Sequence, residues 1–184
     1  PCYVFHPLNA YDEGDSIILD VVRHPKMFVT DFHGPNEGPT TLDRWTVDLA
    51  DGKVRETRLD DHPQEFPRID ERLVGRPYRY GYAMQTSSTG GRPGDSILKH
   101  DLHRGQTTAR RLGADKRVGE FVFVPHAPQA PEDDGVLMGF VYDASTDRSD
   151  LVILDAASLE TIAAIHLPQR VPDGFHGNWA PAGP

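Results

Sequence analysis

Two sets of residues recur along this chain with one period, and a shared period constrains the fold more than any single motif does. His6, Glu65, Glu120 and His176 are separated by about 59, 55 and 56 residues. Each stands next to a phenylalanine: Phe5, Phe66, Phe121 and Phe175. Three hairpin-like segments, Arg44–Val54, Leu98–Gln106 and Val152–Glu160, keep nearly the same step. In each, a strand-like run ends at an aspartate (Asp48, Asp101, Asp155) and a turn follows. Aspartate caps the N–H groups of such a turn, and a glycine such as Gly52 tolerates positive φ. A repeat of this size implies one supersecondary unit per period, so residues in one phase occupy equivalent places in successive units. If those places surround a common axis, two imidazoles and two carboxylates converge there.

The units read as β-structure. Ser16–Val22, Tyr78–Met84 and Val136–Tyr142 read as strands. The first and last are nearly continuous apolar runs, which implies burial on both faces. Helical periodicity is scarce, and 17 glycines and 16 prolines punctuate the gaps between strands. Residues 85–95 and 125–134 read as loops. Four short strands per repeat, joined by hairpins, are the signature of a β-propeller. The expected fold is therefore all-β, with residues 1–184 forming one incomplete ring of about three to three and a half blades. The chain has no initiator methionine and opens directly in a strand carrying His6. It reads as an N-terminally truncated piece, whose open sheet edges favour self-association.

Composition removes several function classes. The net charge is −9 and no basic patch is interleaved with aromatics, so the chain lacks the footprint that nucleic-acid binding requires. Cys2 is the only cysteine, which leaves no disulfide framework and no thiolate zinc site. A reducing, cytoplasmic setting is the expectation. No apolar run approaches a membrane span. There is no Gly-x-Ser-x-Gly elbow and no glycine-rich phosphate loop with lysine. The pairs Asp60-Asp61 and Asp133-Asp134 read as solvated turn carboxylates rather than a glycosidase dyad.

Metal chemistry fits the repeated residues better. A neutral imidazole ligates iron, zinc or copper through one nitrogen and commonly donates its other N–H to a carboxylate. Two histidines and two glutamates in one phase therefore read as His–metal pairs backed by Glu. His176, in Gly174-Phe175-His176-Gly177-Asn178-Trp179, reads as a buried polar group that needs a partner. The other seven histidines are not read as ligands. His100 and His103 flank a turn and read as solvated, His24 and His62 precede prolines, and His33 lies in a Gly/Pro loop. His126 follows Val124-Pro125, and His166 ends an apolar strand.

Six stretches, in order, carry a family likeness. They are Phe5–Asp15, Gln64–Ile69, Gly75–Tyr80, Gly119–Pro125, Glu132–Gly135 and Phe175–Trp179. Together they make the chain resemble, over essentially its whole length, the carotenoid cleavage oxygenase family. That family includes retinal-forming and apocarotenoid oxygenases, epoxycarotenoid dioxygenases and lignostilbene dioxygenases. The resemblance implies a seven-bladed propeller with Fe(II) on its axis, held by four histidines, three of them oriented by glutamates. It maps His6 and His176 onto two of the iron ligands, with Glu65 orienting His6 and Glu120 orienting His176. The other two histidines and the remaining glutamate would come from an N-terminal half outside this sequence, so the 184 residues alone are expected to be inactive.

The implied reaction is O₂-dependent cleavage of a conjugated C=C bond in carotenoid, apocarotenoid or stilbene-like compounds, giving two carbonyl products. Such substrates imply an apolar tunnel and peripheral contact with membranes. His126 departs from the pattern, standing where the family motif leads us to expect arginine. Two other readings stay open at this level: a non-catalytic propeller interaction module whose axial polar groups staple the blades, and isomerisation or hydrolysis at the same metal.

Overall fold

The computed structural model describes residues 1–35, 37–88, 92–174 and 176–181. These form three four-stranded antiparallel sheets and a single 3-10 turn, Glu71–Leu73. The first sheet holds β1 (Tyr3–Glu13), β2 (Ser16–His24), β3 (Thr41–Asp48) and β4 (Val54–Asp60). The second holds β5 (Gln64–Arg68), β6 (Tyr80–Thr86), β7 (Pro93–Asp101) and β8 (Gln106–Arg111). The third holds β9 (Lys116–Pro125), β10 (Gly135–Asp143), β11 (Arg148–Asp155) and β12 (Thr161–His166). Each sheet is a meander of four consecutive strands, the unit of a propeller blade.

The repeated hairpins all join the third strand of a blade to the fourth. Asp48 Oδ1 accepts from Ala50 N at 2.8 Å, Asp101 Oδ1 from Arg104 N at 3.2 Å and Asp155 Oδ1 from Ser158 N at 2.7 Å. Two boundaries differ from expectation. β6 starts at Tyr80 rather than Tyr78, because the N–H groups of Arg79 and Tyr80 donate to the Glu132 carboxylate instead of to a strand. Gln85 and Thr86 complete β6, and Pro93–Asp95 open β7, so the loop between them is shorter than residues 85–95. Residues 89–91 of that loop lie outside the described residues.

Burial on both faces fits the apolar run of β2, whereas β10 buries one face only, with Leu137 and Val141 in the core and Phe140 46 % exposed. Leu8, Tyr11, Ile18 and Leu42 of the first blade pack with Ile69 and Tyr78. Tyr82, Met84 and Ile97 of the second blade pack with Phe121, Phe123, Leu137 and Leu154 of the third. Tyr82 stacks on Phe123 with centroids 6.0 Å apart. Polar staples reinforce both seams. Asp20 accepts from Arg44 and from the Tyr78 hydroxyl. Asp133 takes Lys99 Nζ at 2.6 Å, which corrects its reading as a solvated turn carboxylate. Its left-handed backbone (φ 68) is held beside a buried ammonium that requires an anion.

The first strands of neighbouring blades adjoin one another, and each carries a bulge at its repeated residue or directly after it. In β1, Phe5 and His6 together oppose Val22, because Val4 pairs with Arg23 and Pro7 with Val21. In β5, Phe66 and Pro67 oppose Ala83, between the pairs Glu65–Met84 and Arg68–Tyr82. In β9, Gly119 and Glu120 oppose Phe140, between Val118–Val141 and Phe121–Gly139. An extra residue on one strand bends it and re-aims the local side chains. Gly139 fits the last bulge because a Cβ there would overlap the Phe121 ring and approach the Glu120 carbonyl oxygen to 2.7 Å.

Candidate metal centre

The bulged strands and the segment after β12 bring the four repeated residues together. His6 Nδ1 lies 2.6 Å from Glu65 Oε2, and His176 Nδ1 lies 3.2 Å from Glu120 Oε1. The two Nε2 atoms face each other at 3.1 Å. A carboxylate only accepts, so each Nδ1 carries the proton that it donates. In the neutral tautomers both Nε2 atoms then present lone pairs. Lone pairs 3.1 Å apart require a cation or a shared proton between them. Metal–imidazole bonds of about 2.1 Å place adjacent donors about 3.0 Å apart, so the pair fits two neighbouring positions around one ion. Among the described residues, no group of three or more His, Cys, Asp or Glu side chains is placed to hold a metal.

The two carboxylates do not join the imidazoles in one shell, as equal spacing had suggested. They sit behind the rings, on Nδ1. Glu65 is 5 % exposed and accepts on three sides: from His6, from Phe66 N at 2.7 Å and from His24 Nε2 at 2.7 Å. Phe66 has φ 51, which turns its N–H onto the preceding side chain. Burial pushes the Glu65 carboxyl up, but the bonds from His24, His6 and Phe66 outweigh it and hold the pKa below the usual value. The same Glu65 bond, against opposing burial, holds His6 above its usual value. Proton and cation therefore compete for the imidazole.

Glu120 is held differently. Its Oε2 accepts from Gly177 N at 2.8 Å and its Oε1 from Arg68 Nη1 at 3.3 Å. Arg68 also donates to Asn178 Oδ1 at 3.1 Å, tying the 176–178 segment to β5. The Phe66 ring lies 5.1 Å from His6 and 5.4 Å from His176, in contact with both. The expectation of a buried His176 needs correction: its side chain is 53 % exposed. Phe175, the fourth phenylalanine of the ladder, lies outside the described residues. A cavity of ≈ 350 Å³ opens beside His176, with Phe66, Val122, Met138, Phe140, Leu151 and Trp179 among its walls.

Two histidines set aside on sequence grounds prove to be buried. His24 is the last residue of β2, is 1 % exposed and bonds Glu65. The available signal was its position at the end of a buried run, but Pro25 pointed to a turn. His100 lies within β7, with Nε2 2.8 Å from Gln64 Oε1 and Nδ1 2.9 Å from Thr107 Oγ1. Burial lowers its pKa to about 4. It reads as solvated only if the turn starts early, and the turn starts after Asp101. His126 and His166 pair with Asp134 and Asp150 at the surface, away from the donor pair.

Fold and site together define a class: an arc of propeller blades whose first strands carry glutamates oriented on a histidine donor pair. The chain belongs to the RPE65 (retinal pigment epithelial membrane protein) family, also known through its carotenoid cleavage oxygenases, whose model matches residues 1–181. It is 47 % identical over 191 residues to a carotenoid cleavage oxygenase of Mycobacterium tuberculosis, covering 98 % of this chain and 38 % of that protein. It is 33 % identical over 202 residues to a lignostilbene-alpha,beta-dioxygenase isozyme of Sphingomonas paucimobilis, covering 98 % and 41 %. The crystal structure of cobalt-substituted Synechocystis ACO superposes with a TM-score of 0.88 at 37 % identity, covering 98 % of this chain and 40 % of that one. The chain thus spans about two fifths of the length of these relatives.

Proposed function

We propose that these residues form part of a single seven-bladed propeller domain in a longer, cytoplasmic, membrane-peripheral oxygenase that cleaves a conjugated C=C bond of a carotenoid, apocarotenoid or stilbene-like substrate. His6 and His176 would hold Fe(II) together with two histidines from the remainder of the protein, which also supplies a third glutamate. The observation that carries this reading is the pair of Nε2 atoms 3.1 Å apart, each ring backed through Nδ1 by a glutamate. That a related protein of the same fold is described as cobalt-substituted supports a metal site in this family. Bound iron(II) supplies the O₂ chemistry that converts the C=C bond into two carbonyl groups.

The chain's own residues have definable tasks. Glu65 and Glu120 fix the tautomer and direction of the two imidazoles, keeping both Nε2 lone pairs on the ion. Phe66 packs against both rings, and the apolar residues among the walls of the neighbouring cavity suit a rigid hydrocarbon. In the full-length protein, Glu65→Gln or Glu120→Gln is expected to weaken iron retention and turnover about 10–100-fold without abolishing them. Metal analysis with steady-state cleavage assays checks this. Unchanged retention in both variants would remove the orienting role.

With two of the four proposed donors, the 184 residues by themselves should bind iron weakly and turn nothing over. Tight iron retention with O₂-dependent cleavage by this chain alone would overturn the division of the site. Iron analysis of the intact protein also separates the oxygenase from a purely structural propeller.

A further inference from the structure

The donor pair is held by carboxylates, so it matters what holds the carboxylates. Glu120 is fixed by a backbone N–H and by the Arg68 guanidinium. Glu65 has no such cation among its bonded partners. Its Oε2 is committed to His6 and Phe66 N, and its Oε1 accepts from His24 Nε2 at 2.7 Å. Both ends of that last bond are buried, His24 at 1 % exposure and Glu65 at 5 %. A third constraint fixes the His24 ring: Phe5, the neighbour of His6, packs edge-on against it at 5.1 Å and 84°. β2 carries His24 opposite Tyr3 of β1, so two bonded strands present His6 and His24 to the same carboxylate.

We propose that His24 is a positioning residue: by donating to Glu65 Oε1 from the buried end of β2, it locks the carboxylate plane, and through it the direction of the His6 Nε2 lone pair. This rests on the metal reading given above. The physical reason is the geometry of a carboxylate with one free oxygen. Held only at Oε2, Glu65 can swing about its terminal torsion, which is broad and roughly two-fold. A buried oxygen without a partner also carries a desolvation penalty, which drives the side chain to repack. Held at both oxygens, the carboxylate has one orientation, and outer partners of this kind typically alter metal affinity about 10–100-fold.

The test uses the metal-free full-length protein titrated with Co(II), read by the visible absorption of the bound ion and by chelator competition. His24→Phe keeps an aromatic ring but removes the donor. His24→Asn keeps polarity but falls short of Glu65. Both are expected to weaken Co(II) binding about 10–100-fold and to change the cobalt spectrum. His24→Gln carries an N–H donor at nearly the reach of Nε2 and is expected to bind within about threefold of wild type. Thermal melts of the metal-free forms identify any variant that fails to fold, and the rescue is then judged on Asn against Gln.

In a Glu65→Gln background the effect of His24→Phe should shrink below about threefold, because coupled residues do not act additively. Wild-type affinity and spectrum in both His24→Phe and His24→Asn would overturn the positioning role while leaving the metal reading intact. Full additivity with Glu65→Gln would also overturn it. A folded wild-type protein that binds no Co(II) would remove the metal reading and the positioning role with it.

Discussion

Replacing His176 with alanine in the full-length protein is expected to abolish iron retention and alkene cleavage together. The geometry concentrates that outcome on one side chain. His6 and His176 present their Nε2 atoms 3.1 Å apart, and among the described residues no third metal-binding side chain joins them. Deleting the imidazole removes one donor and leaves Glu120 facing an empty position, with only Gly177 N and Arg68 to satisfy it. Arg68 would then draw the carboxylate away. His176 is half-exposed and lies outside both apolar cores, so folding should survive the change. The check is iron stoichiometry, cleavage rate and the thermal melt of the metal-free variant, measured together. Retained iron with full turnover would end the assignment of His176 as a donor.

The second large effect is on stability. Asp20→Ala is expected to cost about 3 kcal/mol, toward the lower end of the ~3–5 kcal/mol typical of breaking one side of a buried ion pair. Asp20 is fully buried in β2. It accepts from Arg44 Nε and Nη2 at 2.7 and 2.8 Å and from the Tyr78 hydroxyl at 2.6 Å. Burial and then the Asp20 charge raise the Tyr78 pKa, so the phenol keeps its proton and donates across the seam between the first two blades. Without the carboxylate, a buried hydroxyl and a guanidinium lose their partner at once. Arg44 keeps about a quarter of its side chain in water, which tempers the loss. Denaturant and thermal unfolding of the variant against wild type measure it, and an unmoved midpoint would refute the staple.

Much of this architecture was legible along the chain. The hairpins at Asp48, Asp101 and Asp155 repeat because each blade turns from its third strand to its fourth with the same local chemistry, and local chemistry is written in adjacent residues. β2 was readable because burial on both faces demands a continuous apolar run, Ser16–Val22, while the equally apolar β10 buries one face only. The pairing of Glu65 with His6 and of Glu120 with His176 came from family resemblance. Spacing alone put all four residues in one shell, and the structure places the glutamates behind the rings instead.

What escaped has a common cause. His24 and His100 were judged by their sequence neighbours, but their environments are made by a strand 41 and 36 residues away along the chain: Glu65 for His24, and Gln64 for His100. The bulges at Phe5-His6, Phe66-Pro67 and Gly119-Glu120 are also invisible in sequence, because a bulge exists only relative to the register of the partner strand. Sequence by itself determined the β-repeat, its period and the residue types that recur at one phase, since these follow from short-range periodicity and turn chemistry. Tertiary structure alone decided which atom of each residue faces which, because a strand's side-chain directions are set by pairing. That pairing turned an evenly spaced ladder into two imidazoles directed at one point, with their carboxylates held behind them.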